Sequence, residues 1–176
     1  LGITDVYKEH LPALCEEHVI KKIYDSYVEM LEDKDIDAVL VCSSTDTHAD
    51  IAIAAAKAGK HVFCEKPVDL TPEKVQAVID TVKETGVKLQ VGFNRRFDHN
   101  CAAIKKMIND GKIGDVNVIK ITSRDPEPPS AEYAAVSGGM FVDMTIHDFD
   151  MARFMAGSPI TEVYANATCL VDPAIG

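Results

Sequence analysis

The sequence predicts a parallel, doubly wound α/β sheet followed by an α+β unit, and three observations carry that prediction. Short apolar runs at residues 1–5, 36–42, 61–64 and 89–93 are spaced by stretches of helical length. Helix-starting and helix-stopping residues fall between them, as strand–helix alternation requires. After Phe93 the texture changes to one long helix, a proline-rich loop and two longer β-type segments at residues 116–122 and 160–170. The boundary is therefore placed between residues 1–93 and 94–176.

Taken in order, residues 1–5 read as a strand whose tip carries the carboxylate of Asp5. A helix begins near His10 or Leu11, because Pro12 is tolerated only in a first turn. Ser26 and Glu29 have capping-box spacing and open a short helix through Leu31. Residues 36–42 are almost continuously apolar, the pattern of a strand buried on both faces. A polar turn, Ser43-Ser44-Thr45-Asp46-Thr47-His48, follows, with Thr47 as N-cap of an alanine-rich helix that Gly59 stops. Strand 61–64 delivers Glu65-Lys66-Pro67 at its end. Thr71-Pro72-Glu73 starts the next helix, which runs to Gly86, and residues 89–93 form the last strand of the first unit.

Parallel sheets bind ligands at the carboxyl ends of their strands. Asp5, Ser43 to Thr45 and Glu65-Lys66 all fall at such ends, on the edge where a dinucleotide would lie. In the second unit a helix spans residues 98–110, and Gly111 and Gly114 end it. The loop from Ser123 to Pro129 cannot continue a sheet. Ser137-Gly138-Gly139 leads into an apolar-periodic helix, on which Met140, Phe141, Met144, Met151, Phe154 and Met155 are expected to line a buried side. Asp143 and His147 stand four apart on that helix, so the carboxylate would orient the imidazole for general acid/base work. The same spacing also fits a structural contact. A metal would need three or four ligands, and neither HExxH nor CxxC spacing accompanies the pair, so no metal is expected. Arg96 and Asp150 are expected to form structural ion pairs.

Composition removes other classes. A formal charge of −10, from 18 Lys and Arg against 28 Asp and Glu, disfavours a phosphate-binding groove for nucleic acid. No apolar run reaches the roughly 20 residues of a membrane span and no signal peptide opens the chain, so a soluble, cytoplasmic protein is expected. The five cysteines, Cys15, Cys42, Cys64, Cys101 and Cys169, are scattered and odd in number, which supports neither a disulfide framework nor a zinc knuckle.

Several motifs occur in a definite order: Glu65-Lys66-Pro67 after a Val-Phe-Cys strand, Gly92-Phe93-Asn94-Arg95-Arg96-Phe97, and Ser137-Gly138-Gly139 ahead of Asp143 and His147. On these the chain resembles the Gfo/Idh/MocA oxidoreductase family over essentially its whole length. Residues 42–48 are similar to the inositol-oxidising members. The resemblance implies an NAD-binding Rossmann domain followed by an open, mostly antiparallel α+β domain that forms homo-oligomer contacts in a dimer or tetramer. It implies that Lys66, Asp143 and His147 are catalytic. Asp5, Ser43, Ser44, Thr45, His48, Glu65 and Lys66 would line the cofactor, and Asn94, Arg95, Arg124 and Asp125 would meet a polyol or sugar. Asp5 favours NAD, since a carboxylate repels a 2′-phosphate. The Lys66–Pro67 bond is implied to be cis. His48 also fits simple local packing, and Asp5 fits a helix cap.

The Gly-rich phosphate loop expected roughly 20 residues before such an acid does not occur in this sequence. The final sheet is expected to be incomplete after Gly176. The chain therefore reads as a segment of a longer protein. The activity expected is NAD-dependent oxidation of a secondary alcohol of a cyclic polyol or another sugar; the alternative is a non-catalytic dinucleotide-binding regulator on the same fold.

Overall fold

The structure is a computed structural model, and it describes residues 1–170 and 173–175. Two compact units divide the chain, Leu1–Gly92 and Phe93–Gly176.

The first unit alternates strand and helix: β1 (Gly2–Ile3), α1 (Leu11–Glu17), β2 (Lys22–Ile23), α2 (Tyr27–Glu32), β3 (Ala38–Val41), α3 (Thr45–Lys57), β4 (His61–Cys64), α4 (Pro72–Thr85) and β5 (Leu89–Val91). All pairings are parallel, as expected. They fall into two sheets, β1-β2 and β3-β4-β5. These correspond to the outer strands 3-2 and 4-5-6 of the doubly wound order 3-2-1-4-5-6, and the strand that bonds to both in that order is not among the described residues. β2 went unpredicted because two residues, Lys22 and Ile23, are too short to show a period.

Side-chain alternation decides what β3 buries. Val39 and Val41 join Leu31, Val62, Cys64, Val78 and the alanines of α3 in one core cluster. Leu40, on the opposite face, is 70% exposed. Among the described residues one face of β3 is covered. On that face Ala49, Ala52, Ala55 and Ala56 are fully buried, and their small side chains let α3 lie close to the sheet.

Helix ends follow local chemistry. Ser26 Oγ accepts from the Glu29 amide at 3.2 Å, while the Glu29 carboxylate reaches back to the Asp25 amide at 2.8 Å. α3 begins at Thr45 rather than after Thr47, with Ser44 as N-cap; the Thr47 hydroxyl donates instead to the Ser44 carbonyl at 2.7 Å. α4 stops at Gly86, whose φ of 71° is the left-handed conformation glycine adopts without strain.

The second unit contains a 3-10 turn at Asn94–Phe97, then α5 (His99–Asn109), α6 (Ala131–Val136), α7 (Gly139–Asp143) and α8 (Ile146–Ala156), with a final 3-10 turn at Pro173–Ile175. The strands expected at 116–122 and 160–170 are not paired among the described residues. A strand needs a neighbour to bond its backbone, and these segments are mostly exposed, with Val118 at 86% and Tyr164 at 90%. The single helix expected through Asp143 and His147 is two. α7 closes with the Met144 and Thr145 amides both donating to the Met140 carbonyl, at 3.2 and 2.8 Å, and α8 starts afresh at Ile146. Met151 and Met155 are buried, whereas Met140 and Phe141 are about half exposed. The Ser130 hydroxyl caps α6 by accepting from the Tyr133 amide, a start that the preceding prolines obscured. None of the described helices is long and apolar enough to cross a membrane.

Candidate functional site

In the first unit the expected residues stand just beyond strand ends. Asp5 follows β1, and its Oδ1 accepts the Tyr7 amide at 2.8 Å, which ties the turn ahead of α1. Oδ2 lies 3.8 Å from His10 Nε2 on a side chain 41% exposed. One oxygen therefore holds the turn and the other lies beside the His10 ring.

Beyond β3, the Ser43 hydroxyl shares a 2.7 Å hydrogen bond with the Thr47 hydroxyl, and Ser44 and Thr45 begin α3. Beyond β4, Glu65 Oε2 accepts the Lys66 amide at 3.3 Å. The Glu65 carboxylate lies against Gly92, which follows β5: a Cβ at residue 92 would fall 2.7 Å from Oε2. The contact of Gly92 with Glu65 went unread in the sequence; its signal was a glycine closing a strand. The Lys66–Pro67 peptide is cis, as the resemblance implies.

His48 does not face outward. It is 2% exposed, and both ring nitrogens meet backbone carbonyls, Nδ1 with Pro67 at 2.8 Å and Nε2 with Ser43 at 2.9 Å. No ring nitrogen is left to meet a ligand, so its expected contact with a cofactor gives way to a contact between two strand-end loops.

Burial, helped by the neighbouring Cys42 and Glu65, pushes the Cys64 thiol up to about 12, and burial likewise raises that of Cys42. Both stay protonated at neutral pH, and Cys64 packs in the core as a small apolar group.

In the second unit Asp143 ends α7 and His147 lies in the first turn of α8, on either side of the helix break. His147 Nδ1 is shielded from solvent. Burial, together with a hydrogen bond to Asp143, raises the phenol of Tyr133 on α6. Tyr133 is thus a further neighbour of the expected site; no motif spacing announced it.

Arg95 is held by Asp148, and the Ser123 hydroxyl donates to the same Asp148 oxygen at 2.7 Å. Arg95 also lines an open depression with Asn94, Phe97, Asp98 and Cys101. Arg124 and Asp125 are exposed on the proline-rich loop. Arg96 makes the expected ion pair with Asp150, at 2.8 and 2.5 Å, and its guanidinium lies 5.1 Å from the Phe154 ring centroid. Among the described residues no group of three or more His, Cys, Asp or Glu is arranged to hold a metal ion.

Parallel strands whose carboxyl ends carry an acid, a hydroxyl-rich turn and a lysine belong to the doubly wound α/β class, which binds its ligands at those ends. Residues 1–93 match the model of an oxidoreductase family with an NAD-binding Rossmann fold, and residues 101–175 match the GFO/IDH/MocA C-terminal domain. The chain belongs to the Gfo/Idh/MocA oxidoreductase family.

Among its relatives, a myo-inositol 2-dehydrogenase of Thermotoga maritima is 50% identical over 99% of this chain and 52% of its own length. An inositol 2-dehydrogenase of Rhizobium meliloti is 56% identical over 81% of this chain and 43% of its own. A scyllo-inositol dehydrogenase of Lactobacillus casei, solved with bound NAD(H) and scyllo-inositol, superposes with a TM-score of 0.78 at 34% identity, over 89% of this chain and 48% of that one. The chain spans about half the length of the curated relatives it matches.

Proposed function

We propose that the complete protein is a cytoplasmic NAD-dependent dehydrogenase that oxidises a secondary alcohol of a cyclic polyol, an inositol, to the ketone. The observation that carries this reading is the presence of Lys66, Asp143 and His147 together in a chain half identical to a myo-inositol 2-dehydrogenase. A regulator that only bound the dinucleotide would have no use for all three.

The residues present fit the cofactor. Asp5, at the end of β1 and partly exposed, would accept from ribose hydroxyls, and Ser43, Ser44, Thr45 and Glu65 supply polar groups at neighbouring strand ends. NAD, when bound, supplies the hydride acceptor. The imidazole of His147 takes the proton from the reacting hydroxyl, and Asp143 orients the ring and favours its charged form. The Lys66 ammonium donates to the same oxygen and stabilises negative charge as it develops. Asn94, Arg95, Arg124 and Asp125 supply the donors and acceptors that a ring of hydroxyls needs. The family likeness also supports a homo-oligomer, a dimer or tetramer, which light scattering would size.

The test is NADH fluorescence from the full-length protein with NAD and a panel of myo-inositol, scyllo-inositol, other inositols and aldoses. Turnover with an inositol is expected. NAD binding without turnover of any polyol would favour the regulator; turnover only with aldoses would make it a dehydrogenase of another sugar.

A further inference from the structure

The geometry points to His48 as a positioning residue that holds Lys66 at its working position by fastening the loop after β4 to the loop after β3. The inference rests on the proposed dehydrogenase reading, in which Lys66 meets the reacting oxygen.

Two backbone carbonyls flank the imidazole. Nδ1 lies 2.8 Å from the carbonyl of Pro67, the residue after Lys66, and Nε2 lies 2.9 Å from the carbonyl of Ser43. Backbone carbonyls only accept, so fastening both loops at once requires the ring to donate from both nitrogens. At 2% exposure no water competes for these bonds.

The mount is rigid. His48 is in the first turn of α3, whose next residues toward the sheet, Ala49, Ala52 and Ala55, belong to the core cluster. Lys66 is tied on its other side as well, since its amide donates to Glu65 Oε2. Its backbone is thus held before and after by side chains that make these bonds in the first unit. A lysine with a flexible stem gains precision from a fixed root, and groups misplaced by about 1 Å lose on the order of a hundredfold in rate.

Amide side chains separate the two ties. The nitrogen of a glutamine reaches about where Nε2 stands, and that of an asparagine about where Nδ1 stands. His48→Gln therefore keeps the bond to Ser43 and releases Pro67; His48→Asn does the reverse.

In the full-length enzyme, His48→Gln is expected to lower kcat about a hundredfold, with the dissociation constant for NAD little changed and a larger deuterium isotope effect from carbinol-deuterated inositol. His48→Asn is expected to retain most of kcat and to bind NAD more weakly through the released Ser43 loop. Equal losses in two folded variants, or the opposite ranking, would overturn the clamp.

Wild-type turnover is read separately and tests the dehydrogenase reading alone. Should the wild type be inactive or neither variant fold, the 15N-labelled ring of His48 in the wild type decides. A ring N–H protected from solvent exchange and unmoved by NAD supports the clamp; a freely exchanging one overturns it.

Discussion

The carboxylate of Glu65 fills the space in which a side chain at residue 92 would stand, so a Cβ on Gly92 would lie 2.7 Å from Oε2 and 3.0 Å from Oε1. Gly92→Ala must therefore move the carboxylate that also receives the Lys66 amide. The obstacle is the far end of a flexible side chain, which can swing aside at small cost, so thermal denaturation should show only a small drop in Tm, together with weaker NAD binding. Removing the obstacle in Glu65→Ala/Gly92→Ala should recover part of the lost Tm, since contacting residues couple. Strictly additive losses would show that the two side chains do not compete for this space.

Lys66→Ala and His147→Ala, made separately in the full-length protein, should each reduce turnover by orders of magnitude while NAD affinity changes less. On the proposed mechanism both groups serve one oxygen and their effects are not additive, so the double variant should be little worse than the poorer single one. Steady-state kinetics beside NADH titration separates the two effects. Two fully active variants would refute the assignment.

Arg96 and Asp150 should matter to stability rather than to chemistry. Asp150 is 9% exposed at its side chain and takes two bonds from a guanidinium that also lies over Phe154. Arg96→Lys loses the fork and the stacking, so Tm should drop by several degrees while KM for the polyol stays near the wild-type value. A changed KM at unchanged Tm would move Arg96 into the substrate site.

Asp33 sets an acid limb of stability. The Lys22 ammonium, the Asp35 amide and the Tyr24 hydroxyl all donate to its carboxylate and hold it far below the usual carboxylate range. A carboxyl lowered in the folded state contributes stability above its unfolded value, about pH 4, and loses that contribution as pH falls toward the folded value. Asp33→Asn should thus lower Tm at neutral pH, and the gap from wild type should close below about pH 4. A gap independent of pH would mean that the loss comes from packing alone.

Local signals made much of the first unit legible. Pro12, Ser26, Gly59, Thr71-Pro72 and Gly86 mark helix ends because each acts on the backbone within one turn. Strand-end placement of Asp5, Ser43 and Lys66 followed from counting strands. What escaped depends on residues far apart in sequence. The hydrogen bonds of His48 rest on carbonyls at residues 43 and 67, and the tight space at residue 92 rests on Glu65. The division of α7 from α8 escaped for another reason: Met, Phe and Ile continue an apolar period across Met144 and Thr145, although the backbone there bonds twice to one carbonyl.

That division leaves the carboxylate of Asp143 and the imidazole of His147 on separate rods with a two-residue joint between them. The azimuth of the imidazole can therefore change without disturbing α7. Inserting or deleting one residue at the joint would swing His147 by about 100° around the axis of α8, so length at this point, as much as side-chain identity, governs whether acid and base face one another.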